Sequence, residues 1–145
     1  MSRFTRCAIR RLRVRSLGRL AITFIDLRSM RALNKRFLRH DRPTDVLSFR
    51  YDRPATPSQR TLAGRLGFRP TGLPVGLHEP VVGEILIAPA QARAYAWQHR
   101  IPYGQELTRY IAHGLLHWLG YQDDTLTQQR LMRRKENQIL RHCGS

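Results

Sequence analysis

His113-Gly114-Leu115-Leu116-His117-Trp118-Leu119-Gly120-Tyr121-Gln122-Asp123 is the stretch on which the reading of this chain turns. Leu107, Ile111, Leu115 and Trp118 recur at helical spacing, so they predict a helix opened by Pro102 with that stripe towards the core. His113 and His117 then stand one turn apart on the opposite face, where two imidazoles can converge on one ion at ~2.0–2.1 Å. Gly120 is expected to end the helix in the left-handed conformation, which lets the chain turn back. Asp123 arrives six residues after the second histidine, in the register H-x-x-x-H-x-x-G-x-x-D. Three protein ligands leave one position of an ion open to water, as hydrolytic sites require. Asp124 is a rival ligand, one residue late.

What is missing from that helix is also informative. Metal-dependent peptidases carry H-E-x-x-H, and the glutamate takes the proton from the attacking water. Here Gly114 stands in its place, which disfavours peptide hydrolysis. Glu106 shares the helix side of His113 but stands ~10 Å away along the axis. It is expected to form a salt bridge rather than act as the base.

Working outward, Leu20–Ile25 is apolar on both faces, as is Val46–Phe49; both predict buried strands. Asp26 and Ser29 offer N-caps for a helix running to about Leu38, with Met30, Leu33 and Phe37 as its buried stripe. Val81–Ala88 predicts a third strand. Pro89 opens a helix to about His99, and Thr125 or Thr127 caps a last helix carrying Leu131, Met132, Ile139 and Leu140. Residues 52–80 hold five prolines and four glycines, so they are expected to form a long loop. Strands come early and helices late, and the fold class is α+β. The 145 residues suit a single domain over 1–145.

The N-terminus is Arg-rich, and Leu12-Arg13-Val14-Arg15 alternates like a strand rather than a targeting segment. No apolar run is long enough to cross a bilayer, and the cytoplasm is the expected location. Cys7 and Cys143 stand near opposite ends, outside any C-x-x-C pair, and are expected to be free thiols. Net charge is +16, with 24 arginines and only two lysines. Genomic codon bias accounts for arginine over lysine but not for the shortage of acids. The excess therefore points to an anionic partner, nucleic acid before membrane. Arg10, Arg11, Arg13 and Arg15 are candidate phosphate contacts.

The second informative segment is Arg39-His40-Asp41-Arg42-Pro43-Thr44-Asp45-Val46-Leu47-Ser48-Phe49. Polar groups crowded before a buried strand suggest a site beside its end. Arg39 taken alone reads as a solvated helix end. Beside a metal it could stabilise the charge that develops on a scissile phosphate.

These segments together resemble the YbeY family of bacterial endoribonucleases. Leu33-Asn34 through Arg39 with Asp41–Phe49, Gly83-Glu84-Ile85-Leu86-Ile87 and His113–Tyr121 carry the likeness. Met132, Glu136 and Ile139-Leu140 continue it, over about residues 20–141. The resemblance implies a metzincin-like fold with a small mixed sheet and a metal-binding helix near the C-terminus. It implies zinc on His113, His117 and the residue at 123, and a functional Arg39. It further implies cleavage of single-stranded ribosomal RNA, maturation of small-subunit rRNA ends and ribosome quality control.

The chain departs from the family pattern in three places. Gln122-Asp123 stands where the family has Asp-His. A carboxylate ligand donates negative charge, so bound water is less acidic than with three imidazoles. Oxygen ligation also moves preference towards harder ions such as manganese. The N-terminus is short, and the first helix of the family is expected to be absent. The loop at 52–80 is long. Two routes of phosphodiester cleavage stay open: attack by water, leaving a monoester, or by the substrate's 2′-hydroxyl, leaving a cyclic phosphate. The rival class is a non-catalytic ribosome assembly factor with a structural metal.

Overall fold

The computed structural model describes residues 3–14, 19–39, 44–55 and 81–144. In chain order the elements are α1 (Arg3–Arg11), β1 (Arg19–Phe24), α2 (Leu27–Leu38), β2 (Val46–Ala55), β3 (Val81–Ile87), α3 (Pro89–His99), α4 (Tyr103–Trp118) and α5 (Leu126–Cys143). The fold is α+β, with one small mixed sheet of order β1-β3-β2. β1 runs parallel to the central β3, pairing Ile22 with Ile85, and β2 runs antiparallel to it, pairing Ser48 with Ile85.

Both faces of the sheet are covered, which explains why its strands are apolar on both sides. Ile22, Val46, Ile85 and Ile87 point to the larger core, shared with Ile111, Leu115 and Leu116 of α4 and Met132 and Ile139 of α5. Leu47 and Leu86 point the other way and meet Met30 and Leu33 of α2. The alternation along β3, Ile85 one way and Leu86 the other, follows from the two-residue period of a strand.

Local signals behave as the chemistry predicts. Asp26 caps α2, its carboxylate accepting from the Ser29 amide at 2.8 Å. Pro89 opens α3 and Pro102 precedes α4. Thr125 caps α5 in a reciprocal box with Gln128. Among the described residues no helix is long and apolar enough to cross a membrane.

Four expectations are corrected. The N-terminal segment is helical, not a strand, so a first helix is present after all. Phe4, Ala8 and Leu12 share a helical stripe, Phe4 and Ala8 buried and Leu12 half-buried against the main core. That packing outweighs the two-residue alternation at Leu12–Val14; Arg15 lies outside the described residues. Cys7 and Cys143 form a disulfide rather than free thiols. Helix α1 packs on α5 and brings their Cα atoms to 5.6 Å, inside the reach of such a bond. Phe37 is 42% exposed, not buried, and meets Phe49 edge to face at 5.3 Å. Finally, β2 continues to Ala55, which shortens the expected loop; residues 56–80 lie outside the described residues.

Candidate metal centre

Helix α4 lies against the sheet at Gly114, and this contact turns the histidine face outward. A Cβ at Gly114 would come within 2.5 Å of Ile85 Cγ2 and 2.9 Å of Val46 Cγ1. The Gly114 carbonyl accepts from Ser48 Oγ at 2.8 Å. So the position that holds the peptidase glutamate is here a packing surface. His113 and His117, half-buried, project from the other side of the helix.

The end of α4 explains how Asp123 reaches them. Gly120 has φ 101°; its amide donates to the His117 carbonyl at 2.9 Å, and the Tyr121 amide to the Leu116 carbonyl at 3.0 Å. This is a Schellman motif, which needs the left-handed residue that glycine supplies. The chain reverses there and delivers Asp123 back to the histidines.

The three side chains form a nearly equilateral triangle. His117 Nε2 and His113 Nε2 are 3.0 Å apart. Asp123 Oδ2 is 3.6 Å from His113 Nε2 and 3.5 Å from His117 Nε2. Ligands held at ~2.0–2.1 Å around a tetrahedral ion stand about 3.3 Å from one another, so the donor set and its spacing fit a divalent cation. Among the described residues this is the one group of His, Cys, Asp and Glu so arranged, and Asp124 is not part of it.

Glu136 of α5 orients the first imidazole. His113 Nδ1 donates to Glu136 Oε1 at 2.7 Å, which leaves the Nε2 lone pair facing the triangle. The other Glu136 oxygen accepts from Arg109 at 3.1 Å and Arg133 at 3.4 Å. Arg109 is itself held by Asn137 at 2.9 Å and lies 3.7 Å from buried Glu106, the salt bridge expected of that residue. Carboxylates behind a ligating histidine fix its tautomer and raise its basicity, and their loss weakens metal binding about 10–100-fold. Glu136→Ala should lower affinity for zinc by that factor in a competitive chelator titration, with the fold retained. Unchanged affinity would leave Glu136 a purely structural residue.

The same pair sets a pH dependence in the ion-free chain. Burial opposes both charges. It is outweighed at His113 by the Glu136 hydrogen bond and by the charges of Asp45, Glu136 and Asp123, so the imidazole sits above its ordinary 6.5. At Glu136 it is outweighed by His113, Arg109 and Arg133, so the carboxyl sits below 4.5. The stability from Glu136 is present above 4.5 and is lost as pH falls through its depressed value. That from His113 is present below 6.5 and is lost as pH rises through its raised value. In chelator, this pair therefore stabilises fully between 4.5 and 6.5, and Glu136→Gln should flatten the thermal-denaturation profile across those limits. A mutant profile parallel to wild type would contradict the coupling.

The triangle opens into a cleft of about 490 Å³ walled by Leu38, Val46, Phe49 and Tyr121. A second cavity, about 250 Å³, lies behind His113 and is lined by Asp45, Tyr95, Glu106 and Tyr110 among others. Burial raises the Tyr110 hydroxyl far above its usual range and keeps it protonated. Arg39, exposed, caps α2 in the left-handed conformation next to the cleft residue Leu38. Arg10, Arg11 and Arg13 are exposed at the end of α1, where Arg11 meets His142 at 3.2 Å. His142 follows Glu136 by six residues of α5, ~9 Å along the axis, so these arginines do not join the metal cluster.

The roles of Glu136, Arg109 and Asp45 escape a reading by local motif, because they come from separate elements. One signal was available: Met132, Glu136 and Ile139 share a helical stripe, and an acid on a core-facing stripe calls for a charged partner.

Comparison with known proteins places the chain in a family. The family profile described as Endoribonuclease YbeY matches residues 2–144. An Endoribonuclease YbeY of Anaeromyxobacter sp. (strain Fw109-5) is 36% identical over 96% of this chain and 67% of its own length. That of Salinibacter ruber is 34% identical over 86% and 70%. The solution structure of TM1509 from Thermotoga maritima aligns with TM-score 0.49 at 17% identity, covering 95% of this chain and 77% of that one. With the profile spanning nearly every residue, the chain belongs to the YbeY family of endoribonucleases.

Proposed function

We propose that this chain is a metal-dependent endoribonuclease, specific for single strands, that acts in maturation of small-subunit ribosomal RNA and in ribosome quality control. The observation that carries the metal dependence is the triangle of His113 Nε2, His117 Nε2 and Asp123 Oδ2, 3.0 to 3.6 Å on its edges and open to a cleft. A divalent ion there, zinc first and manganese as the harder alternative, would supply Lewis acidity towards a phosphate oxygen and acidify a water. His113, His117 and Asp123 would hold it, and Glu136 keeps the His113 proton on Nδ1, leaving Nε2 free to bind. Arg39, next to the cleft wall at Leu38, would neutralise the charge that develops on the phosphate oxygens.

Single-strand preference follows from recess. The side chains of His113 and His117 are only 17% and 28% exposed, in a cleft of mixed apolar and polar lining that a flexible strand enters more readily than a rigid duplex. Substrate affinity comes from charge. Three of the ten carboxylates, Glu84, Glu106 and Glu136, are buried, so the surface is more basic than the net +16 suggests. Such binding is steeply salt-dependent and independent of base identity. The ribosomal assignment rests on the family resemblance together with this surface.

Elemental analysis of purified protein beside Asp123→Ala tests the site. One zinc per chain, lost or weakened in the variant, is the expected result; equal content in both would remove Asp123 from the ligand set. Mass spectrometry of the cleaved ends then separates the two routes. A monoester supports attack by water, and a cyclic phosphate assigns the attack to the 2′-hydroxyl.

A further inference from the structure

Helix α3 carries a surface that the metal centre does not use. Trp97 is 88% exposed, the most exposed of the large hydrophobic side chains among the described residues. Arg93 and Trp97 follow the i, i+4 spacing of a single helix face, and Arg100 is the left-handed residue that ends the helix. With Gln98, Ile101 and Tyr103 they line a groove of about 820 Å³, and no described acidic residue lines it. The Arg93 guanidinium lies over the Tyr103 ring, 5.2 Å from its centre.

We propose that this groove is a second RNA subsite, in which Trp97 stacks on an unpaired base while Arg93 and Arg100 hold the flanking phosphates. The proposal rests on the reading of the chain as an enzyme of single-stranded RNA. The composition of the groove selects the ligand. Single-strand sites combine a sequence-tolerant aromatic platform with cations that follow the backbone, and both are present here. Two guanidiniums, with no described acidic residue beside them, match a polyanion better than an apolar protein surface. The groove lies where α3 meets the start of α4, and Tyr103 precedes His113 by ten residues of helix, ~15 Å of axis. A stacked strand advances ~3.4 Å per nucleotide, so the base on Trp97 lies on the order of four or more nucleotides from the scissile phosphate. A very short substrate cannot reach both places.

The test uses the whole metal-loaded protein, a labelled twelve-nucleotide single-stranded RNA and a trinucleotide of the same sequence. Trp97→Ala should weaken binding of the long RNA about tenfold, within the range for losing one stacked base. It should raise KM for that RNA with kcat unchanged. Trp97→Phe, which keeps a ring, should restore most of the affinity. Neither variant should alter cleavage of the trinucleotide. Arg93→Gln or Arg100→Gln should reduce the slope of affinity against salt by about one. If Trp97→Ala binds the long RNA as wild type does, the proposal is overturned and the groove passes to a protein partner. If the trinucleotide is affected equally, Trp97 acts through the catalytic cleft and the remote subsite is refuted. If wild type neither binds nor cleaves RNA, the enzymatic reading fails, and this proposal with it.

Discussion

Replacing His117 with alanine should strip the divalent ion from the protein and lower RNA cleavage by about a thousandfold or more, while the fold and RNA binding survive. The size follows from the role: a metal's stabilisation of a transferring phosphoryl centre is worth several kcal/mol, and ~4 kcal/mol is about a thousandfold. Survival of the fold follows from position. The His117 side chain is partly exposed, and it meets His113 at 3.0 Å and Asp123 at 3.5 Å, both within the triangle. The core of α4 rests instead on Ile111, Leu115 and Leu116. RNA binding is expected to survive because the proposed phosphate contacts lie outside the cleft, among them Arg10 and Arg11 on α1 and Arg13 just after it. The measurements are elemental analysis, circular dichroism and cleavage of a labelled single strand, made on one preparation. Cleavage that persists in the metal-free variant would place the activity elsewhere. Loss of the folded signal together with the ion would favour the rival reading, in which the metal is structural.

The second large effect falls on stability and concerns Gly83 and Gly114. A Cβ at Gly83 would stand 2.1 Å from Trp118 Nε1 and 2.6 Å from the backbone oxygen of Phe49. The indole can swing aside, but the Phe49 carbonyl belongs to β2, so relief requires parting β2 from β3 where they pair. At Gly114 the nearest atoms are methyl groups of Ile85 and Val46, which can shift more easily. Overpacking of a close-packed core costs ~1–3 kcal/mol and at times more. Gly83→Ala is therefore expected at the upper end, about 3 kcal/mol, and Gly114→Ala at about 1–2 kcal/mol. Urea denaturation of the metal-free proteins measures both. The reverse order, or a neutral Gly83→Ala, would show that the strands separate more readily than the structure implies. Gly114→Glu should unfold the protein rather than create a peptidase base, because that direction leads into the sheet.

Much of this protein was legible in local chemistry. Asp26, Pro89, Pro102, Gly120 and Thr125 mark helix ends through side-chain hydrogen-bond acceptors, a fixed φ or a left-handed turn, and each acts within a few residues of itself. The apolar character of both faces of Leu20–Ile25 and Val46–Phe49 told of a doubly covered sheet. The spacing of His113, His117 and Asp123 is local as well, because one helix and one Schellman turn determine where all three point. Tertiary structure decided what depends on elements distant in the chain. It made a helix of residues 3–11, because Phe4 and Ala8 could be buried against α4 and α5. It brought Cys7 to Cys143 and Glu136 to His113, and it left Phe37 and Trp97 outside. Short-range spacing determines which way a side chain leaves its own backbone. Only the packing of one element on another determines whether it meets a core, a ligand or water.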